Sequence, residues 1–208
     1  NSSWGGTPVE AWIQLEAVED EVTLEEQKLF NYNISENKRE QDAPAYLFNG
    51  MINPILDFSL KGVIWYQGES NRNQPRLYSK TFPLMIQNWR DLWKSPKLSF
   101  YYVQIAPFDY SKNLNSAYLR ESQLETLSKT DNIGMVVSLD IGEENNIHPA
   151  EKQLVGKRLA YWALANDYGI KKIGFSGPKY KSNEIEGDKM TLKFDFAEKG
   201  LSTFGHPL

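Results

Sequence analysis

The segment GVIWYQGESN, residues 62–71, changes abruptly from apolar to polar residues. Val63, Ile64 and Trp65 are typical of a buried β-strand, because β-branched and aromatic side chains pack well on a pleated surface. The polar run from Gln67 to Asn71 follows at once. Ligands of open α/β sheets bind at the carboxyl ends of the strands, so the change predicts a strand that ends in a functional loop.

The residues after this strand alternate between helical and strand-like patterns. Apolar residues recur at helical spacing over 78–93, and residues 117–130 are typical of a more polar helix. Buried strands are predicted at 99–105 and 133–139. Pro149 is predicted to begin another helix, for which Gly169 is in the place of a C-terminal capping glycine. Strands alternating with helices of this length predict βαβ units and a parallel sheet.

The two ends of the chain differ from this central pattern. Thr23 to Glu26 fits a capping box and predicts a short helix, and residues 46–57 predict a buried helix ended or kinked by Pro54. After residue 170, the segments 170–177 and 189–196 predict short alternating strands. We therefore predict an α/β domain over residues 1–170 and a short β-rich segment over residues 171–208, the start of a further region.

The composition excludes several classes of site and partner. The 208 residues include no cysteine, which excludes disulfides, thiolate metal sites and a cysteine nucleophile. Only two histidines are present, so a histidine-rich metal site is not expected. The net charge is −4 and no basic block alternates with aromatics, so we expect no nucleic-acid partner. The apolar runs are too short to span a bilayer, and we expect no membrane insertion.

His148 is a candidate general base. It follows a predicted strand and a polar loop, and it directly precedes the helix predicted from Pro149. A carboxylate could fix its tautomer and stabilise the imidazolium that forms when it accepts a proton. Asp140 is best placed by its position after the strand, whereas Glu143 and Glu144 are typical of a solvated loop. The alternative for the histidine is a structural role.

The polar residues after the first strand have two interpretations. The amide of Gln67 could donate to a developing oxyanion, and Glu69 could orient neighbouring groups as an acceptor. Equally, Gln67, Glu69 and Asn71 could hold a tight turn around Gly68. Gly5 and Gly6 allow the same pair of interpretations: a backbone N–H directed at an anion, or a turn.

Several motifs in one order resemble the sialate O-acetylesterase family of SGNH-type serine esterases. They are NSSWGGTPVEAW, AYLFNGMINPI, GVIWYQGESN, WR at 89–90, LRESQ at 119–123 and DIGEENNIHPAEKQLVGKRLA. The resemblance runs from residue 1 to about 200 and implies a flavodoxin-like, three-layer α/β fold. It also implies that Gly6 and Gln67 are oxyanion-hole donors and that His148 is the catalytic base. Asp140 becomes the first candidate for the orienting acid. Asn145 stands three residues before His148, where many SGNH enzymes have aspartate, so Glu143 remains the alternative.

The resemblance also predicts something missing. In this family the nucleophile is the serine of a G-Q-S-N-M-like segment upstream of the WGGT loop, and these 208 residues contain no such segment. Ser2, Ser3, Ser70 and Ser176 are poor substitutes, because a nucleophile requires a sharp strand-to-helix turn within reach of the base. We therefore expect an N-terminally incomplete esterase domain that does not hydrolyse esters alone.

The expected function of the whole protein is removal of O-acetyl groups from sialic acid, without metal or organic cofactor. Arg120 could bind the substrate carboxylate, although pairing with Glu121 on the helix surface is the simpler interpretation. Trp4 could stack on the sugar, and Gly5, Glu69 and Asn71 could line the site. A catalytically inert carbohydrate-binding or scaffold module, or an esterase acting on acetylated xylan, are the alternatives. The extracellular substrates usual in the family suggest secretion or a periplasmic location.

Overall fold

The computed structural model describes residues 1–110, 116–198 and 200–201, so His206 lies outside the described residues. Its contacts divide the chain into two units, Asn1–Leu159 and Ala160–Leu208, and each is described here by itself. The boundary that the sequence predicts at residue 170 separates domains, whereas this division is based on contacts alone. The predicted boundary therefore stays a prediction.

A three-stranded parallel sheet lies at the centre of the first unit. The strands are β1 (Gly62–Tyr66), β2 (Ser99–Val103) and β3 (Ile133–Val136), in the spatial order β1-β2-β3. All five residues of β2 are buried. The predicted α/β class with a parallel sheet is confirmed. The strands β2 and β3 begin at the predicted residues but end two and three residues earlier than predicted. The prediction that β1 is buried was wrong in part, because Trp65 is buried whereas Ile64 is 68% exposed.

Six α-helices accompany the strands among the described residues. They are α1 (Leu15–Glu21), α2 (Leu24–Gln27), α3 (Asn31–Ile34), α4 (Pro75–Leu92), α5 (Ser116–Lys129) and α6 (Lys152–Asn166). Short 3₁₀ turns cover Val9–Trp12, Glu40–Asp42, Asn53–Ile55 and Glu69–Asn71. The predicted capping box is confirmed, because the Thr23 hydroxyl accepts from the Glu26 N–H and the Glu26 carboxylate accepts from the Thr23 N–H.

Two helix predictions differ from the structure. The helix predicted at residues 46–57 is present over 46–55 but irregular: residues 46–47 are α-helical, Phe48–Ile52 form a π-helical turn and Asn53–Ile55 a 3₁₀ turn. It cannot continue as a regular α-helix because Pro54 has no N–H to donate. The helix predicted from Pro149 begins at Lys152 instead. The Ala150 N–H donates to the Glu143 carboxylate at 3.1 Å, which holds this segment in the preceding loop.

Aromatic side chains fix α4 against the sheet. The centroid of the Trp65 ring on β1 lies 5.6 Å from that of Trp12 and 5.6 Å from that of Trp89, and the ring planes are nearly perpendicular in both pairs. The Trp89 indole N–H donates to the Trp12 carbonyl at 2.9 Å. Phe82 packs edge-on against Tyr102 of β2, and both are fully buried. This packing makes the carboxyl ends of the strands a rigid platform.

The second unit contains an antiparallel hairpin, so the predicted β-rich segment is present. Its strands are β4 (Lys179–Glu186) and β5 (Lys189–Asp195). The prediction of a strand at 170–177 was wrong, because the two-residue loop Gly187–Asp188 selects the strand that directly precedes it as the partner of β5. Gly187 has φ +61°, which suits the first position of a type II′ turn.

No helix in the described part of the chain is long and apolar enough to cross a membrane.

Candidate active site

The ion pair between Arg39 and Asp42 supports the glycine loop WGGT, residues 4–7. Gly6 has φ +68°, a left-handed conformation that glycine adopts without strain, and its carbonyl accepts from the Arg39 guanidinium. Arg39 also donates two hydrogen bonds of 2.8 Å to Asp42, whose side chain is almost fully buried. Trp4 and Gly5 are exposed beside Gly6. The loop therefore presents its other side to solvent in a fixed shape.

Gln67 joins the glycine loop to the end of β1. Its amide nitrogen, Nε2, donates to the Thr7 carbonyl at 3.0 Å and to Asn71 Oδ1 at 2.7 Å. Two segments that the sequence analysis paired as oxyanion donors are thus adjacent. Both amide protons are engaged, however, so Gln67 can donate to an oxyanion only by sharing one of them. Its role as an oxyanion donor stays a prediction, as does that of Gly6.

Gln123 on α5 is a structural residue of this site that sequence reasoning missed. It is fully buried, and its amide oxygen accepts from the Ile105 N–H at 2.9 Å. Its amide nitrogen donates to the carbonyls of Gln67 and Val103, the residues that end or follow β1 and β2. A side chain on Gly68 would come within 3.1 Å of it. In the sequence, Gln123 is notable only as the last residue of the motif LRESQ, and no local pattern distinguishes it from a surface glutamine.

Glu69 is half-buried, and positive charges lie close to it. Burial raises its pKa above the ordinary value of 4.5, while its backbone hydrogen bond, His148 and Lys152 lower that pKa in turn. An electrostatic effect of His148 on Glu69 requires the imidazole and the carboxylate to be near each other, although they are 79 residues apart in sequence. The structure thus brings the predicted base to the polar loop after β1.

His148 is exposed on a loop that Glu143 closes. The Glu143 carboxylate accepts from the Ala150 N–H, and the His148 N–H donates to Asn146 Oδ1 at 3.0 Å. Glu143, the alternative acid, therefore shapes the loop that carries the histidine.

Asp140, the first candidate acid, has a different partner in the structure. Arg158 binds its carboxylate with both ends of the guanidinium, one bond being 2.8 Å, and this pairing holds the pKa of Asp140 below its usual value. Among the described residues, no hydrogen bond joins Asp140 to His148. The geometry gives the orienting role of Asp140 no support, and the role stays a prediction.

Several buried polar atoms in this part of the first unit have no hydrogen-bond partner among the described residues. Arg120 is half-buried, and its Nη1 has no hydrogen-bond partner among the described residues; the same holds for Arg72 Nε and for the hydroxyls of Tyr66 and Tyr110. The Arg72 guanidinium lies over the Tyr110 ring, 4.6 Å from its centroid. Burial and the charge of Glu69 raise the pKa of Tyr66 to about 12, so this hydroxyl stays protonated. These buried groups therefore have hydrogen-bonding capacity that no described residue uses.

Other parts of the described chain offer less. No group of three or more histidine, aspartate or glutamate side chains within the described ranges could hold a metal ion. A cavity of about 670 Å³ lies beside the start of α4, lined by residues that include Gln74, Arg76, Tyr118 and Glu125. It contains none of the predicted site residues.

Comparisons with known proteins agree with the motifs. The family model described as "Carbohydrate esterase, sialic acid-specific acetylesterase" matches residues 2–165. The sialate O-acetylesterase of Homo sapiens is 30% identical over 217 residues, covering 95% of this chain and 41% of the human protein. That of Rattus norvegicus is 30% identical over 240 residues, covering 94% of this chain and 44% of the rat protein.

A crystal structure of a carbohydrate acetylesterase from Xanthomonas citri is 35% identical and superposes with a TM-score of 0.77. The match covers 94% of this chain and 42% of that one. The chain thus spans about two fifths of the length of the curated relatives it matches.

Proposed function

This chain belongs to the sialic acid-specific acetylesterase family of carbohydrate esterases, and from that premise we propose that the protein hydrolyses O-acetyl esters of sialic acid. The observation that carries the proposal is the convergence of three distant segments. The glycine loop and Gln67 are joined by the 3.0 Å bond from Nε2 to the Thr7 carbonyl, and Glu69 lies in the electrostatic range of His148.

The proposed reaction is acyl transfer through a serine. The serine oxygen attacks the acetyl carbonyl carbon while His148 accepts the hydroxyl proton. The backbone N–H of Gly6 and a shared proton of Gln67 stabilise the oxyanion of the tetrahedral intermediate. His148 then protonates the sugar oxygen as the C–O bond breaks, and water repeats the sequence on the acetyl-enzyme. The mechanism requires no cofactor.

The attacking serine is proposed to lie outside the 208 residues. Two of the serines considered from the sequence are engaged elsewhere: Ser2 Oγ donates to the Met51 carbonyl, and Ser176 Oγ donates to the Gly177 carbonyl in the second unit. The relatives are more than twice as long as the segment that matches this chain.

Two buried guanidinium nitrogen atoms support a substrate with a carboxylate. Arg120 and Arg72 each have an unpaired guanidinium nitrogen, and a guanidinium binds a carboxylate through charge-assisted hydrogen bonds. Trp4 is 51% exposed beside the glycine loop, where its ring could stack on a sugar. An acetylated neutral polysaccharide has no carboxylate to accept from these two nitrogen atoms.

The deciding experiment compares acetate release from O-acetylated sialic acid and from acetylated xylan. We expect a longer protein that includes the proposed upstream serine to prefer the sialic acid, and the 208-residue chain alone to release no acetate. His148→Ala should lower kcat of the longer protein by at least about 10³-fold, because the base is lost. Lys157→Ala, an exposed substitution on α6 away from the predicted site residues, is the control and should leave kcat unchanged.

Each part of the proposal can fail separately. Turnover by the 208 residues alone would overturn the placement of the serine, and preference for xylan would overturn the substrate. Binding of sialic acid by the longer protein without any turnover would favour the inert binding module instead.

A further inference from the structure

A chain of buried hydrogen bonds leads from Gln67 away from the candidate site. Gln67 Nε2 donates to Asn71 Oδ1 at 2.7 Å, and Asn71 Nδ2 donates to Glu10 Oε2 at 2.9 Å. The other carboxylate oxygen of Glu10 accepts from the Asn31 N–H at 3.1 Å. Glu10, Asn71 and Gln67 are 1%, 3% and 9% exposed. Solvent therefore cannot replace these hydrogen bonds at low cost.

Donor and acceptor chemistry allows the side-chain amides of Asn71 and Gln67 only one orientation in this series of hydrogen bonds. The Val9 N–H donates to Asn71 Oδ1 at 2.9 Å, so an amide nitrogen cannot occupy that position. The Glu10 carboxylate accepts only, so Asn71 must turn its Nδ2 toward it. With Asn71 fixed in this way, Gln67 must present Nε2 to it, and the second proton of Nε2 reaches the Thr7 carbonyl.

We propose that Glu10 is a positioning residue whose carboxylate, acting through Asn71, fixes the direction in which the Gln67 carboxamide faces. The catalytic use of this orientation rests on the proposed function, because Gln67 is the proposed oxyanion donor. The orientation itself rests only on the hydrogen bonds. The fixed direction leaves Gln67 Oε1 as one of the buried atoms without a hydrogen-bond partner in the described part of the chain.

A neutral glutamine in place of Glu10 could not accept hydrogen bonds from both the Asn31 N–H and Asn71 Nδ2. A glutamine there would have an NH₂ group facing either the Asn31 N–H or Asn71 Nδ2. In the second case Asn71 would have to turn over, which would set its own NH₂ against the Val9 N–H and against Gln67 Nε2. The carboxylate avoids this conflict because both of its oxygens accept.

The free-energy cost of the carboxylate supports a role beyond packing. Burial raises the pKa of Glu10, and the nearby charge of Asp42 raises it further, whereas hydrogen bonds from Asn71 and Asn31 lower it. An isolated buried carboxylate is unfavourable, and a buried charge can instead specify one arrangement of its neighbours.

The test is NMR on the side-chain NH₂ groups of the 208-residue chain, which needs no catalytic activity. In the wild-type protein we expect slow water exchange for the amide protons of Gln67 and Asn71. In Glu10→Gln, Gln67 should exchange about tenfold faster and change its chemical shifts, as expected for the loss of one hydrogen bond. Asn88 is the internal control: it is also buried, but it pairs with Gln14 outside this chain of hydrogen bonds and should not change.

A double variant separates orientation from general destabilisation. In Glu10→Gln combined with Asn71→Asp, the introduced amide accepts from the Asn31 N–H and donates to the introduced carboxylate, which accepts from the Val9 N–H and from Gln67. We expect wild-type exchange of the Gln67 amide to return. Unchanged protection of Gln67 in Glu10→Gln would overturn the proposal. So would a double variant that unfolds or that leaves Gln67 unprotected, because all of these groups have partners in it. If the NMR result holds but the longer protein releases no acetate, only the proposed function fails.

Discussion

At the scale of single residues, two carboxylates show how position in sequence and position in space differ. Asp140 follows β3 and is eight residues from His148, yet its carboxylate is bound to Arg158. Glu69 is much farther along the chain from His148, yet its pKa depends on that histidine. Distance along the chain therefore does not predict which carboxylate the histidine affects.

The first prediction at this scale concerns the titration of Glu69. The positive charge of His148 lowers the pKa of Glu69, so His148→Gln should raise that pKa further above 4.5. A carboxyl ¹³C NMR titration of the 208-residue chain measures it directly. Asp140→Asn is the control and should leave the Glu69 titration unchanged.

The same shift determines the pH dependence of stability. Because the pKa of Glu69 in the folded protein is raised, its contribution to stability is complete below about pH 4.5, the ordinary pKa of glutamate, and is lost as the pH rises through the folded-state pKa. In His148→Gln this loss should extend to higher pH, as urea unfolding at a series of pH values would show. A Glu69 titration that is the same in wild type and His148→Gln would contradict the proximity of the two groups.

At the scale of elements, α4 and α5 are joined at a weak point of α4. Pro83 lies inside α4 and has no N–H to donate to the Ser79 carbonyl, four residues earlier. Lys129, the last residue of α5, donates its ammonium to that carbonyl at 3.0 Å and to Ser79 Oγ at 2.7 Å. A side chain of one helix thus replaces a backbone donor missing from the other.

A double-mutant cycle tests this replacement. Lys129→Met should lower the free energy of unfolding by about 1 kcal/mol in the wild-type background. In a Pro83→Ala background the restored N–H can donate to Ser79, so the same substitution should cost about 0.5 kcal/mol less. Urea unfolding measures both values.

Glu125 provides the control for this cycle, because Lys129 also pairs with its carboxylate on the surface at 3.3 Å. Glu125→Gln should change the stability by less than about 0.5 kcal/mol. Equal costs of Lys129→Met in the two backgrounds would show that the lysine does not compensate for the proline.

At the scale of the whole molecule, the two units differ in how deeply their strands are buried. Every residue of β2 is buried in the first unit, whereas most residues of β4 and β5 are exposed in the second. A two-stranded hairpin with few buried side chains is marginally stable by itself. Local opening should therefore be far easier in the hairpin than in the sheet.

Amide hydrogen exchange tests this difference. We expect the β2 amides to exchange at least about 100-fold more slowly than those of β4 and β5, because β2 opens only when the first unit unfolds. The comparison is limited to amides that are hydrogen-bonded within the strands. Each rate is judged against the intrinsic exchange rate of that amide. Equal protection of the hairpin and β2 would show that the hairpin gains stability which its exposed side chains do not explain.

The elements that sequence reasoning identified depend on local patterns. The change at residues 66–67 marked the end of β1, the apolar spacing marked α4, and Thr23 with Glu26 marked a helix start. Hydrophobic period and capping act within a few residues, so they can be read along the chain. The same patterns misplaced the first strand of the hairpin, because strand pairing depends on which turn closes it.

The sequence by itself determined the family, the parallel α/β class and the segments that end at the candidate site. Only the tertiary structure decided which polar groups meet: Glu10 with Asn71, Asp140 with Arg158, Gln67 with Thr7 and Lys129 with Ser79. The physical reason is range. Hydrophobic patterning is a property of consecutive residues, whereas a hydrogen bond between buried groups 61 residues apart exists only after packing has brought them within 3 Å.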